Sequence, residues 1–584
     1  MMTGFFKLGL MTTMVLVTSF GLGLGTARLM IRDRSRAVLF APWIGIAQTG
    51  ILLIFSAFLG FTVREMLWLP LAAGAVPLVI SFRARHAQSP VPDSISSQKI
   101  LMLALGVFCA AWISALPAVT REGDVSSFTI GNQDLFEYSL TAEILKDHDV
   151  RPFVKPFGGQ PDNPDATIGE RVASWQVPST RWVPIFYLSY LSSVLRLDSS
   201  VLFSILICAV YALFLPLLWL LARDVFEIEG WGWTGFALAL VNPHMIYVLY
   251  HGFLPQILAT GFLIGFYIAL RDFAESGSVR GAALAGLFAA GVLATYLELF
   301  VFAGLTAGAY FVYLAAARKI TVRQMFLRGG AMGLICAALA PYQTYMLIPI
   351  ILFHSDWAGG GWNLSKNYYL FATQIGLFRY DAQWIIPYPL VEKAGGALLL
   401  AGLGYGLFVS KSRALLAAIA APFLISGFSS YAHNWNYRYF KNMTYIYFWA
   451  PLMLGWLVTY LMARGRTSAM FRRLGTASAA IILMITLYAG SNSALRLRGS
   501  FLGAARVPQD NSDLKALNQD PTVRTFYVRS EDPWETLWIG YRLRDKNLVF
   551  DTYHPYLRND LRDPKAPWNG AILKRRANEA DHVR

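Results

Sequence analysis

Few residues in this 584-residue chain have both the type and the spacing to do chemistry. One group lies in GNQDLFEYSLTAEIL, residues 131 to 145, where Asp134 is followed by Glu137 and Tyr138. A carboxylate within hydrogen-bond reach of a hydroxyl can act as a general base, worth about 10² to 10⁴ in rate. A second group lies in HNWNYRYFK, which carries Arg438 and Lys441, with Arg181 placed before WVPIFYLSYLSSVLR. A guanidinium offers a planar fork that matches phosphate oxygens two at a time, and an ammonium offers a point charge. The pairing suits proton removal from a hydroxyl beside an anion such as phosphate.

Other candidates are single residues. Asp124 is the rival base, nearer the preceding apolar segment but without a Tyr four residues on or an amphipathic helix behind it. Glu298, in TYLELF between two apolar helices, is an ionisable group in a costly place. His251 sits in the short turn LYHGF. His354 and Asp356 open HSDWAGGGWNLSKNYY, whose Gly and Trp content suits a mobile lid and equally a plain loop. Each has an ordinary structural account beside the chemical one. Asp134 and Glu137 have capping-box spacing ahead of Phe136, Leu140 and Ile144 on one helical face. Arg181, Arg438 and Lys441 stand where basic residues anchor a helix at lipid headgroups, and Glu298 and His251 are placed where a side chain can simply reach an interface.

The elements that must position these groups are apolar. The chain is 55% hydrophobic and 15% charged, with a mean hydropathy of +0.45, far from a soluble domain with about a quarter of its residues charged. Apolar runs long enough to cross about 30 Å of hydrocarbon recur along it. Spans are expected near 4–27, 37–60, 66–82, 100–118, 199–222, 231–250, 253–270, 281–296, 299–317, 329–353, 394–410, 413–428, 443–463 and 476–493, about fourteen in all. The first is read as a span, having no clear cleavage site. The net charge of +15 comes from short clusters between apolar segments, which argues against nucleic acid. Cys109, Cys208 and Cys336 each fall inside an apolar segment and read as packing residues.

Lys and Arg in alternate short loops, among them ARLMIRDRSR, SFRARH, ALRDF, RKITVRQMFLR, SKSR and MARGRTSAMFRR, place those loops in the cytoplasm. The opposite set, FTVRE, YHG, 119–198, 354–393, 429–442 and 494–584, then faces outward. Alternation requires that 182–196 lie along the outer membrane surface instead of crossing it. The expected fold is an all-α polytopic membrane protein with three divisions: an extra three-helix segment and linker (1–97), a transmembrane core (98–494) and a small soluble α/β module (495–584).

DLFEYSLTAEIL resembles the first external loop of the GT-C superfamily, integral-membrane glycosyltransferases that use polyprenyl-phosphate-linked sugars. In lipid A aminoarabinose transferases and protein mannosyltransferases that loop opens with an acid, a Tyr four residues on and an Ala-Glu-rich helix. RWVPIFYLSYLSSVLRLDSS, NPHMIYVLYHGFLPQILATGFLIGFYIAL, AGLFAAGVLATYLELFVFAGL and NYRYFKNMTYIYFWAPLML resemble later GT-C segments in the same order, covering about 100 to 495. The leading spans are extra, the family's Pro-Pro is reduced to Val-Pro, and the WWDYG-type signature of oligosaccharyltransferases is missing.

The resemblance implies a bacterial inner-membrane enzyme with its active site and C-terminal domain on the periplasmic side. It would move one sugar from a polyprenyl-phosphate donor to a glycan, lipid or protein acceptor, with Asp134 as base. Tyr138, Glu137, Arg181, His251, Glu298, Arg438 and Lys441 are then candidates for binding substrate and phosphate. Asp134 and a second carboxylate have the oxygens to hold Mg²⁺ or Mn²⁺ against phosphate, and metal use stays open. Two other classes compete. A lipid-linked oligosaccharide polymerase or O-antigen ligase would need late basic loops more than an early acid. A transporter should carry ionisable groups at the midplane of several helices, and these spans are largely free of charge. The aromatics of DPWETLWIGYRL and DTYHPYL suit either carbohydrate contact or the core of the C-terminal module.

Overall fold

The computed structural model describes residues 2–85, 94–120, 122–130, 133–154, 166–177, 181–356, 404, 412–433, 436–501, 512–529, 533–550 and 572–574. Helices dominate, since a backbone in hydrocarbon must satisfy its own hydrogen bonds. In chain order they are α1 (Met2–Met30), α2 (Arg34–Phe58), α3 (Trp68–Arg85), α4 (Ser97–Ser114), α5 (Asp134–Asp147), α6 (Ile168–Gln176), α7 (Trp182–Leu195), α8 (Ser199–Ala212) and α9 (Phe214–Leu220). Next come α10 (Trp233–Leu240), α11 (Pro243–Tyr250), α12 (Leu254–Ser276), α13 (Val279–Thr295), α14 (Leu297–Ala316), α15 (Val322–Leu339) and α16 (Pro341–Asp356). Helices Arg413–Ala432, Asn436–Ile446, Trp449–Arg464 and Ala469–Phe501 follow.

Polar side chains fix several starts. Asp33 caps α2 by accepting from the Ser35 and Arg36 amides, and Asp198 caps α8 through the Ser200 amide. Reciprocal capping boxes open α6 (Thr167 with Glu170) and α15 (Thr321 with Gln324).

Among the described residues, nine helices are long and apolar enough to cross a membrane, or ten if α15 and α16, bent by 101° at their junction, make one broken span. The chain is thus a multi-pass helical membrane protein. Several expected spans differ. Segment 231–250 is divided between α10 and α11, α3 and α13 are shorter apolar helices, and 394–410 lies, apart from Gly404, outside the described residues.

Two ends can be distinguished. At one, Lys7 pairs with Asp124 at 2.9 Å, and the Val63 and Arg64 amides donate to the Leu145 and Lys146 carbonyls of α5. This is called the loop end. At the other, the basic end, Arg36 pairs with Asp272 (2.7 Å) and Asp224 (3.4 Å), tying α2 to α12 and to the π turn after α9.

The leading helices share the main core. Trp43 stacks on Phe214 (5.7 Å) and donates its indole N–H to the Leu213 carbonyl (3.0 Å), and Ser19 bonds the Tyr187 hydroxyl at 2.6 Å. The 86–93 stretch of the linker lies outside the described residues.

Helix α7, expected to lie along the outer membrane surface, is one of the shorter apolar helices and not one of the nine span candidates among the described residues. From Trp182 to Ser192 every residue of α7 is buried, among α2, α5, α8 and α13. A helix apolar on one face only would leave a polar side to water; this one carries Trp, Ile, Phe, Tyr and Leu all round, so neighbouring helices enclose it. Arg196, in the left-handed region at φ 54°, ends it.

Past residue 512 the described chain holds helices Ser512–Gln519 and Pro533–Arg542 and a three-stranded parallel sheet in the order β2-β1-β3: β1 (Thr525–Arg529), β2 (Asn547–Phe550) and β3 (Ile572–Lys574). This sheet docks at the loop end. Tyr541 donates to Asp198 (2.8 Å), Arg542 pairs with the same carboxylate (3.2 Å), and the Ile168 and Gly169 amides donate to the Lys546 and Arg544 carbonyls.

Candidate functional site

The site assembles where four helix ends meet at the loop end. The first is the start of α5. The N-cap is Gln133, without a side-chain capping bond, and Asp134 is the first helical residue. The expected cap role of Asp134 and Glu137 is therefore not the one adopted. At N1 the carboxylate sits in the positive field of the helix terminus, which favours its ionised form.

One turn on, Tyr138 is 1% exposed, its ring stacked on Phe203 at 6.4 Å. Arg181, just before α7, donates to the Tyr138 hydroxyl at 2.9 Å. Burial pushes the Tyr138 pKa well up, opposed by Arg181 and reinforced by Asp134 and Glu137, so the phenol stays protonated. With Arg181 donating to its oxygen, the phenol proton is left to be donated onward.

The second end is the break between α13 and α14. Tyr296 adopts an extended conformation (φ −156°, ψ 93°) that interrupts the two helices and buries its ring. Two cations converge on that ring: the Arg181 guanidinium at 4.8 Å and the Lys441 ammonium at 5.1 Å from its centroid. Burial works against the charge on Arg181, but Tyr138, Tyr296 and Glu298 more than offset this and hold its pKa well above the usual value. Glu298, two residues past the break, thus belongs to the same electrostatic neighbourhood.

Lys441 comes from helix Asn436–Ile446, the third end, and Arg438, one turn earlier on that helix, is exposed. The fourth is the α11–α12 turn. His251 packs against Tyr247 (4.0 Å between ring centres) and Phe253 (5.6 Å), and Phe253 against Phe440, the neighbour of Lys441. Burial pushes the His251 imidazole down to about 4, so it is neutral near pH 7. The Ile130 amide donates to the Tyr250 carbonyl at 3.1 Å, leading the chain into Asp134. Gly252 (φ +79°) gives this turn a left-handed residue beside α5, where a Cβ would meet Phe203 at 3.4 Å and the Leu135 amide nitrogen at 3.9 Å, ordinary contact distances.

No family model matches the chain, and no curated protein matches its sequence. The chemistry of the site is therefore argued from its own residues.

Most of the residues singled out in the sequence gather here: Asp134, Glu137, Tyr138, Arg181, His251, Glu298 and Lys441. Asp124 does not. It is half exposed and bonded to Lys7, whose hydrogen bond holds its carboxyl below the usual range. His354 and Asp356 end α16, and 357–393 lies outside the described residues. Tyr296 was missed. Its signal was an aromatic beside an acid at an interruption between two apolar runs, where backbone polarity needs a function to justify it. Among the described residues no three His, Cys, Asp or Glu side chains are grouped to hold a metal. A divalent ion at Asp134 would need substrate phosphate oxygens to complete its shell.

Proposed function

We propose that the protein is a membrane glycosyltransferase of GT-C type, moving one sugar from a polyprenyl-phosphate donor to a glycan, lipid or protein hydroxyl. The observation that carries this reading is the convergence of Arg181 and Lys441 on Tyr296, next to Tyr138 and Asp134, at a membrane-protein helix end. Two cations held by an aromatic ring suit a phosphate monoanion or diester arriving on a lipid. A carboxylate one helical turn from Tyr138 suits an alcohol.

In the reaction, the acceptor O–H gives its proton to the Asp134 carboxylate as its oxygen bonds to the anomeric carbon. The bond from that carbon to the phosphate oxygen breaks, and the electron pair leaves on the phosphate. Arg181 and Lys441 stabilise the charge that develops there, and the Tyr138 phenol can donate to the same group. His251, neutral, can accept or donate a hydrogen bond but adds no charge.

The basic loops at the opposite end support a cytoplasmic position for that end, which puts the site on the periplasmic face of an inner membrane. Asp134→Asn keeps the size and polarity of the side chain while removing the base. With membranes supplying polyprenyl-phosphate sugars, transfer of labelled sugar should fall by about a hundredfold or more with normal expression. Turnover within a few fold of wild type rules out this role for Asp134.

A further inference from the structure

Four buried polar residues, on helices that meet near the α13–α14 break, carry side-chain polar atoms without hydrogen-bond partners among the described residues. The Gln256 side-chain amide oxygen (Oε1), the Thr295 hydroxyl, the Tyr296 hydroxyl and both side-chain amide atoms of Gln343 are buried and have no hydrogen-bond partner among the described residues. Their side chains are 3%, 0%, 2% and 0% exposed. Desolvated groups left unpaired are costly, and a native protein keeps several together where something else completes them.

Their positions in the fold are related. Phe262 of α12 lies against Gly291 of α13, and Phe288 of α13 against Gly265 of α12. These helices are antiparallel, so continuing the register sets Gln256 level with Tyr296 and Leu297. Thr295 and Tyr296 are the last residue of α13 and the break itself. The 101° bend after α15 carries α16 against α13 and α14. There Tyr342, the neighbour of Gln343, stacks at 4.8 Å on Trp182, the neighbour of Arg181. Arg181 therefore has Tyr296 on one side, and Trp182 beside it leads to Gln343.

We propose that Gln256, Thr295, Tyr296 and Gln343 form the sugar-reading part of the site, taking a neutral, polyhydroxylated ring. The inference rests on the glycosyl-phosphate reading above and adds the residues that discriminate among donors. The four residues supply acceptors and donors without charge, as a ring of hydroxyls requires, while Arg181 and Lys441 keep to the phosphate. A site built to hydrogen-bond hydroxyls rejects a ligand lacking them, because its own buried groups then stay unpaired.

The experiment uses purified full-length wild type, Gln256→Leu and Gln343→Leu. Each is assayed for binding sugar-free polyprenyl phosphate and polyprenyl phosphates bearing a hexose or a pentose. In wild type, one glycosylated lipid should bind at least about tenfold tighter than the sugar-free lipid. In both variants that margin should shrink to about twofold or less, with sugar-free affinity unchanged.

Melting temperatures without ligand give a second reading. Leu removes an orphaned amide at 343 and an orphaned amide oxygen at 256, so the variants should melt at or above wild type. An undiminished margin in the variants, no margin in wild type, or a melting temperature lowered by several degrees overturns the sugar-reading role. Loss of sugar-free lipid binding is a separate result. If wild type does not bind polyprenyl phosphate at all, the glycosyltransferase reading fails, and this inference with it.

Discussion

At the scale of single residues, what separates the candidate acids is their neighbours. Asp124 and Asp134 both stand in the same loop, ten residues apart, but Asp124 is committed to an exposed pair with Lys7. Such pairs contribute about 1 kcal/mol at most, so Asp124→Asn should lower stability by no more than about 1 kcal/mol and leave sugar transfer within about threefold of wild type, the latter read in the assay used for Asp134. His251 makes a pH prediction. Its folded pKa is depressed to about 4 from an ordinary 6.5, so burial of the neutral ring stabilises the fold fully above about pH 6.5. That contribution is lost as pH falls toward 4, because the unfolded chain takes up the proton first. Melts between pH 7 and 4.5 should show wild type losing more stability than His251→Gln, and equal slopes would mean the ring is solvated.

At the scale of elements, the site depends on interruptions. The α13–α14 break presents the Tyr296 ring to Arg181 and Lys441, and the α11–α12 turn beside the start of α5 takes a left-handed backbone at residue 252 that a glycine adopts without strain. At φ +79° a side chain is strained, typically by about 1 kcal/mol, while its Cβ would meet Phe203 at ordinary contact distance. Gly252→Ala should therefore cut transfer more than it lowers the melting temperature, since it moves Asp134 relative to His251 without removing a contact. A fall in stability with unchanged specific activity would show that the turn does not position Asp134. Helix α7 makes a related point. Its aromatic start packs against its neighbours, with Trp182 enclosed between Phe58 (5.1 Å) and Tyr342 (4.8 Å).

At the scale of the whole molecule, the C-terminal sheet is fastened to the loop that carries the site. Tyr541 and Arg542 hold Asp198, the cap of α8, while Arg544 reaches Glu143 of α5, whose carboxylate also accepts from the Ser199 amide at 2.9 Å. Trp538 packs edge-on against Phe136, two residues after Asp134, at 6.3 Å. The aromatics of DPWETLWIGYRL thus serve packing between the module and α5, whereas DTYHPYL lies outside the described residues. Tyr541→Phe removes one buried hydrogen-bonding group from Asp198, at a cost of about 1 to 3 kcal/mol. Limited proteolysis should then cleave within 512–550 faster than in wild type, with the membrane helices intact. An unchanged cleavage rate would show that this contact does not hold the module.

The sequence by itself determined the class of the molecule, the acid, the aromatic and the cations. Hydropathy and charge are summed properties, and a helix in lipid has few alternatives, so they survive without knowledge of the packing. Asp134, Arg181 and Lys441 could be named as candidates from residue type and position, and Tyr138 from the resemblance of DLFEYSLTAEIL to the GT-C loop. Only the tertiary structure decided that Arg181 bonds Tyr138, that Tyr296 gathers both cations, and that Asp124 is spent on Lys7. Those contacts join residues dozens to hundreds of positions apart, and their partners are chosen by which helix ends meet, which no local pattern encodes. The same holds for Gln256 and Gln343: each is one amide in an apolar helix until the register and the bend bring it toward Arg181.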